Sequence, residues 1–325
     1  MKYRTISVSG SYYTGSSAVV DFLGEFGECY IVPNELDLFY AGLAKLFRPL
    51  NDGQSLSPEQ FEHIRRSLLR FAGHGKTYNR ILSGFRKRYI RNLPRASNRY
   101  KLLRSFDHHI YVGSLREIFP NYRDHTAEFC DLLRERLHVL PGQEDELRTL
   151  LTGFLEGLRP PSSEYSVLVA DQLIRPGHVD LSHLVPTIGI IVVTRDPRDQ
   201  YCDIRSRSKS KPQFHANEAV HRFIDTYGRR YTKEDQLLEN AAENVLRVRF
   251  EDLVYDYCNT VESVQAFLGL SAHRFRKRYF DPARSINNTQ LFRSYPKQDE
   301  IRLIERELST RLYPFEEHST TREKG

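Results

Sequence analysis

The sequence predicts an α/β fold: a central parallel sheet flanked by helices, with a largely helical insertion. Three observations predict it. Strand-like runs in the first ten residues and at 166–170, 187–194 and 245–250 are separated by segments of helical periodicity, the pattern of parallel strands joined by helical crossovers. The first run closes on Gly10 and leads directly into an amphipathic helix. The span from about 40 to 165 reads as mainly helical, and the strand pattern resumes after it. The insertion is therefore placed beside the sheet, within a single domain over 1–325.

Each element has a local reason. Ile6, Val8 and Gly10 alternate as the end of a buried strand. Ala18, Val19, Phe22, Leu23 and Phe26 lie at helical spacing over 16–26, with Gly27 placed as a C-cap. A second strand is expected just before Glu35. Ser57-Pro58-Glu59-Gln60 forms a capping box with proline at the first helical position, opening a helix whose stripe is Phe61, Ile64, Leu68, Phe71 and Ala72. Further helices are predicted over 125–138, 144–158, 216–230, 259–268, 271–279 and 298–312. The last dozen residues are expected to fray.

Composition narrows the function class. The chain has 325 residues, 39% of them hydrophobic and 28% charged, which supports a packed core and argues against wholesale disorder. The apolar runs stay near ten residues, short of the ~20 a membrane helix needs. The opening MKYRTISVSG does not read as an apolar leader. Four cysteines lie far apart with no C-x-x-C pair, which fits a reducing, cytoplasmic setting. Residues 63–106 hold thirteen Lys and Arg and no Asp or Glu, leaving 35 basic against 42 acidic residues elsewhere. One basic block on an otherwise acidic chain suggests an anionic partner, the plain alternative being a solvated helical face. The block has no recognisable nucleic-acid module, so nucleic acid is disfavoured. Asp107-His108-His109 has adjacent histidines that point apart and no matching ligand set, so no metal is expected.

Two segments carry chemistry. Gly10-Ser11-Tyr12-Tyr13-Thr14-Gly15-Ser16-Ser17 follows a strand and opens a helix, as a P-loop NTPase-like phosphate loop does. Successive N–H groups and the helix dipole favour an anion there by ~0.3–1 kcal/mol. Gly10 and Gly15 allow close backbone approach, and Thr14, Ser16 and Ser17 add hydroxyls. Ser16 stands where an ATP-binding loop has lysine, which disfavours an ordinary ATPase or GTPase. The plain alternative is a glycine turn with Ser16 or Ser17 as N-cap. The second segment is Arg195-Asp196-Pro197-Arg198-Asp199, after the strand TIGIIVVT. An arginine at the carboxyl end of a parallel strand faces the ligand crevice of such sheets, and its fork suits phosphate. Arg198 reads instead as a structural partner of an aspartate.

With these segments, the chain resembles the sulfotransferases that use 3′-phosphoadenosine 5′-phosphosulfate. Gly10 to Ser17 is similar to the family's 5′-phosphosulfate loop in length, glycines and hydroxyls. IIVVTRDPRDQY is similar to its 3′-phosphate motif, and Arg249-Phe250-Glu251-Asp252-Leu253 to a later segment. Ser285–Arg293, with the ion-rich helix after it, resembles the part that covers the nucleotide. The likeness spans about 4–30 and 165–315. It implies the sulfotransferase fold, with Gly10, Tyr13, Thr14, Gly15, Ser16, Ser17 and Arg195 around the donor and no metal. Two positions depart from the family. Tyr13 stands where a Lys or Arg is usual, and Asp203 where a serine follows the phosphate arginine by eight residues.

The implied activity is sulfuryl transfer to a hydroxyl of a glycan or glycolipid, with the 40–165 insertion on the acceptor side. The basic block would hold an anionic acceptor or lie against anionic lipid. The family's usual base position, 23 residues before Arg195, is Gln172. The adjacent titratable group, Asp171, becomes the candidate base and Glu35 the second candidate. The alternative is a nucleotide- or polyanion-binding protein on the same fold with little catalysis, for which Tyr13 and Asp203 speak.

Overall fold

A computed structural model of the chain describes residues 2–11, 13–36, 39–51, 57–69, 124–135, 144–159, 165–207, 219–239, 243–271, 273 and 277–315. Five parallel strands form one sheet in the order β2-β3-β1-β4-β5: β1 Thr5–Gly10, β2 Cys29–Glu35, β3 Val167–Asp171, β4 Ile188–Thr194 and β5 Val245–Arg249. Central β1 is buried along its whole length because it has a strand on each side and helices on each face. Ile6 and Val8 face one layer. Ser7 and Ser9 face the other, where Ser7 Oγ accepts from the Ile174 amide at 2.9 Å and Ser9 donates to the Ile174 carbonyl. Those bonds answer the cost of burying two hydroxyls.

Alternation along the strands divides the core into two layers. Ile6, Val8, Val169, Ile191 and Val193 pack with α1 (Ser16–Leu23). Leu168, Ala170, Ile190 and Val192 pack with side chains of Ala44–Asn51, 58–69, 124–135 and Glu144–Glu156. The described part of the 40–165 span thus shares a core with the sheet. Of the basic block, only 63–69 lies within the described residues, and the Asp107-His108-His109 cluster and the tail beyond 315 lie outside them.

Several local predictions hold. Pro58 begins a helix, with the Ser57 amide donating to Gln60 Oε1 at 2.8 Å and the Gln60 amide to Ser57 Oγ at 3.2 Å. Other elements differ. The helix after the loop ends at Leu23 with Gly24 as its C-cap, so Gly27 caps nothing. The helix placed at 216–230 runs instead over Ala219–Glu239. The helix expected over 271–279 is replaced, in its described residues, by irregular chain. The reason is a side chain far away in sequence: Glu25 accepts from the amides of Lys277, Tyr279 and Phe280, and Lys277 has φ 58°. Among the described residues no helix is long and apolar enough to cross a membrane.

Candidate active site

Strand order decides where a ligand can sit. From β1 the chain travels to β2 on one side, whereas from β4 it travels to β5 on the other, so a crevice opens beyond the carboxyl ends of these two neighbours. β1 and β4 pair in register from Thr5 with Ile188 to Gly10 with Val193. The loop after Gly10 and the arginine after Thr194 therefore leave the sheet side by side.

The loop is built by its glycines and by contacts from distant strands. A Cβ on Gly10 would lie 2.1 Å from Thr14 Oγ1. Gly15 has φ 91°, and a Cβ there would lie 2.6 Å from the Phe250 ring. Gly15 is the N-cap of α1, which has no side-chain cap hydrogen bond, so the simple Ser16 or Ser17 capping alternative does not apply. The first amides of such a helix have no acceptor within it and suit an anion. One expected donor is corrected. The Thr14 side chain is buried and its hydroxyl donates to the Ser11 carbonyl at 2.9 Å, so it closes the loop and does not face outward. Tyr13 takes φ 62°, and its ring packs against the cluster around Tyr201 and Phe223.

Arg195 joins the two segments. Its Nη1 donates to the Tyr13 carbonyl at 2.9 Å and to Asp203 Oδ2 at 2.5 Å, and its Nη2 donates to the Asn288 carbonyl at 2.5 Å. The residue is only 5% exposed. Phe250 lies beneath both segments, under Gly15 and 5.4 Å from the guanidinium. Glu251 accepts from the Asp196 amide at 2.9 Å, and burial pushes its carboxyl up to about 8. The R-F-E-D segment therefore braces the site from below. Arg198 is structural, as its sequence context predicts: it is paired with Asp196 at 2.7 Å and Glu305 at 2.8 Å. Asp199 accepts from the amides of Gln290 and Phe292, at 2.7 and 3.3 Å, fastening the C-terminal covering segment. Burial raises Asp199 to about 6.

The candidate bases lie on the other side of β1. Asp171 ends β3, opposite Val8 on one neighbour and Glu35 on the other. The Leu36 amide donates to the Asp171 carbonyl at 2.7 Å. Alternation puts Asp171 on the face of Val167 and Val169, toward α1. There it faces Asp21, whose carboxyl is held well above the usual range by burial and then by the charges of Asp171 and Glu25. Carboxyl ends in the order Glu35, Asp171, Gly10, Thr194 thus share one rim.

Two residues of this site carry no motif. Gln172 is buried with φ 61°; its Oε1 accepts from the Gly10 amide at 3.5 Å and its Nε2 donates to Ser16 Oγ at 3.3 Å. Counting from Arg195 finds this position, but only the fold shows it bridging both ends of the loop. Glu234, in the helix Ala219–Glu239, accepts from Ser11 Oγ at 3.2 Å and, with Arg195, Thr194 and Arg249, lines a cavity of about 270 Å³. No signal in the sequence marks it.

Burial pushes the Glu234 carboxyl up to about 7, against the charge of Arg230 and the Ser11 hydrogen bond. The folded chain therefore keeps a proton that the unfolded chain releases near 4.5. The stability this group contributes is complete below that value and is lost as pH rises through 7. Glu234→Gln removes the titration. Between pH 5 and 8, urea unfolding should show the wild type losing about 2–3 kcal/mol relative to the variant. Parallel pH dependences would place this carboxyl in water.

The match to known proteins follows the same geometry. The family model of the sulfotransferase family matches residues 10–274, from the loop through both anion segments. This chain belongs to the sulfotransferase family. Its members are transferase enzymes, and this chain is one of them. Three solved structures are similar to this sulfotransferase. The sulfotransferase domain of the Synechococcus PCC 7002 olefin synthase is 17% identical, covering 93% of this chain and 92% of that one, with a TM-score of 0.41. A sulfotransferase of Mycobacterium tuberculosis H37Rv is 16% identical, covering 95% and 77%, with a TM-score of 0.42. The sulfotransferase domain of the curacin biosynthetic pathway is 14% identical, covering 96% and 99%, with a TM-score of 0.43. No curated protein matches the chain. Among the described residues, no group of three or more His, Cys, Asp or Glu could hold a metal ion.

Proposed function

We propose that this sulfotransferase moves a sulfuryl group from 3′-phosphoadenosine 5′-phosphosulfate to a hydroxyl of a glycan or glycolipid. The family's donor is 3′-phosphoadenosine 5′-phosphosulfate. The observation that carries the reading is the 2.9 Å contact between Arg195 and the Tyr13 carbonyl, which makes the two anion segments one site. The 5′ half of that donor suits the loop, where the α1 N-terminus, Ser16 and Ser17 would receive the phosphosulfate. Its 3′-phosphate would meet Arg195 at the edge of Nε and Nη2, because Nε is buried with no hydrogen-bond partner among the described residues, while protein acceptors engage Nη1 and one N–H of Nη2.

Neighbouring strands lie ~4.8 Å apart, so the rim from Glu35 to Arg195 spans ~14 Å. That leaves donor space over β1 and β4 and acceptor space over β2 and β3. In the transfer, the acceptor oxygen bonds to sulfur as the bond from sulfur to the bridging phosphate oxygen breaks. The electron pair leaves with the nucleotide and the acceptor proton passes to a carboxylate. Asp171 is the proposed base and Glu35 the second candidate. The 63–106 block would attract an anionic acceptor or acidic lipid headgroups.

The test is transfer of labelled sulfate to a panel of glycans and glycolipids. Asp171→Asn should lower turnover at least ~100-fold, the lower range for a lost general base, while donor affinity stays nearly constant. Unchanged turnover in that variant, with loss in Glu35→Gln, would move the role to Glu35. Saturable nucleotide binding with no transfer to any acceptor would favour the binding-protein alternative.

A further inference from the structure

We propose that Gln172 is a positioning residue that aims the Ser16 hydroxyl hydrogen at the 5′-phosphosulfate of the donor. The inference rests on the sulfuryl-transfer reading and assigns the residue that prepares the loop for it.

The directions of two hydrogen bonds carry it. The backbone amide of Gly10 can only donate, so the side-chain oxygen of Gln172 must face it, and Oε1 accepts from that amide at 3.5 Å. The NH2 end is thereby fixed on Ser16, where Nε2 donates to Oγ at 3.3 Å. A serine oxygen that accepts such a bond keeps its own hydrogen for another acceptor. Among the described residues none takes it. Ser16 is the first residue of α1, directly after the Gly15 cap. Its hydroxyl hydrogen and the first amides of the helix therefore share one unmet need, which an anion at the loop answers.

The backbone holds Gln172 in place for this. The residue follows Asp171 at the end of β3 with φ 61°, a left-handed conformation that glutamine seldom adopts. Its amide donates to the Val8 carbonyl at 2.7 Å, which ties this turn to β1 two residues before the loop begins. The side chain is buried, so water does not compete for its amide group. A Cβ on Gly10 would lie 3.4 Å from the Ser16 Cβ, so the two residues joined by Gln172 already sit against each other. An ATP-binding loop has lysine where Ser16 stands. A hydroxyl is the weaker donor, and its bond to an anionic oxygen gains full strength only when the hydrogen points there. A hydroxyl rotates to suit its neighbours, so without Gln172 that direction is no longer set before the ligand binds.

The experiment is calorimetric titration of the full chain with adenosine 3′,5′-bisphosphate and with adenosine 3′-monophosphate, which lacks the 5′ group. The quantity read is the ratio of the two affinities. Gln172→Met should lower that ratio about tenfold, the size of one hydrogen bond to a charged group, with affinity for the monophosphate nearly constant. Ser16→Ala should lower it by a similar factor, and the double variant should lower it no further, because the two side chains act as a unit. Gln172→Glu keeps the side chain's shape and the acceptor for Gly10, and guards against a methionine variant that fails to fold. Its carboxylate would accept from Ser16 and turn the hydrogen away from the ligand, so the ratio should fall at least as far. A ratio within about twofold of the wild type, equal losses for both nucleotides, or losses that multiply in the double variant would each overturn the proposal and leave the sulfuryl-transfer reading intact. Binding of neither nucleotide by the wild type overturns both.

Discussion

Arg195→Met should lower folding stability by about 3–5 kcal/mol, the range seen when one partner of a buried ion pair is removed. The cause is what the substitution leaves behind. Asp203 keeps a carboxylate with 16% side-chain exposure and loses the cation 2.5 Å away. The carbonyls of Tyr13 and Asn288 lose their donor as well, so the loop and the covering segment are no longer tied to the end of β4. Methionine fills much of the same volume over Phe250, so the loss is mainly electrostatic. The double variant Arg195→Met/Asp203→Asn should regain at least half of the loss, because the stranded charge is gone. Urea unfolding of the four proteins in the cycle measures the coupling directly. If Arg195→Met unfolds within 1 kcal/mol of the wild type, in roughly the range of an exposed pair, the arginine does not anchor the site.

The parts of this site that were legible in the sequence are local. Gly10 and Gly15 flank a loop between strand and helix, and each meets a neighbour that a side chain would strike. Arg195 follows an apolar strand and stands at its carboxyl end, as parallel-sheet topology requires. The capping box at Ser57 needs only four residues to be read. What was not legible depends on chain closure over long separations. Gln172 meets Gly10 across 162 positions, and Glu234 meets Ser11 across 223. Neither has a local pattern, because a buried amide or carboxyl in a helical or turn context looks like any surface residue. The pairing of Arg195 with Asp203 is hidden for a related reason. Asp203 and Arg195 are eight apart, but only the angle at which the helix Pro197–Arg207 leaves β4 brings carboxylate to guanidinium.

Glu25→Ala should cost about 3–5 kcal/mol, although the residue is far from any motif, because one buried charge is removed from several donors at once. Glu25 is 0% exposed and follows the end of α1. Its Oε1 accepts from the amides of Tyr279 and Phe280, at 2.8 and 3.0 Å. Its Oε2 meets His273 Nε2 at 2.5 Å and the Lys277 amide at 3.1 Å. His273 stacks on Phe26 with ring centroids 4.7 Å apart. A single carboxylate therefore supplies the acceptors that a helix over 271–279 would have found within itself, which is why local periodicity mispredicted that stretch. Alanine would leave three amides and the imidazole without this acceptor, the Phe280 amide in a buried setting. Glutamine would keep one acceptor but turn an NH2 group toward donors, so Glu25→Gln should recover little. Hydrogen exchange distinguishes this anchor from a general packing loss. The amides of Lys277, Tyr279 and Phe280 should exchange faster in Glu25→Ala well before β1 and β4 do, and unchanged protection of those three would remove the carboxylate from its role.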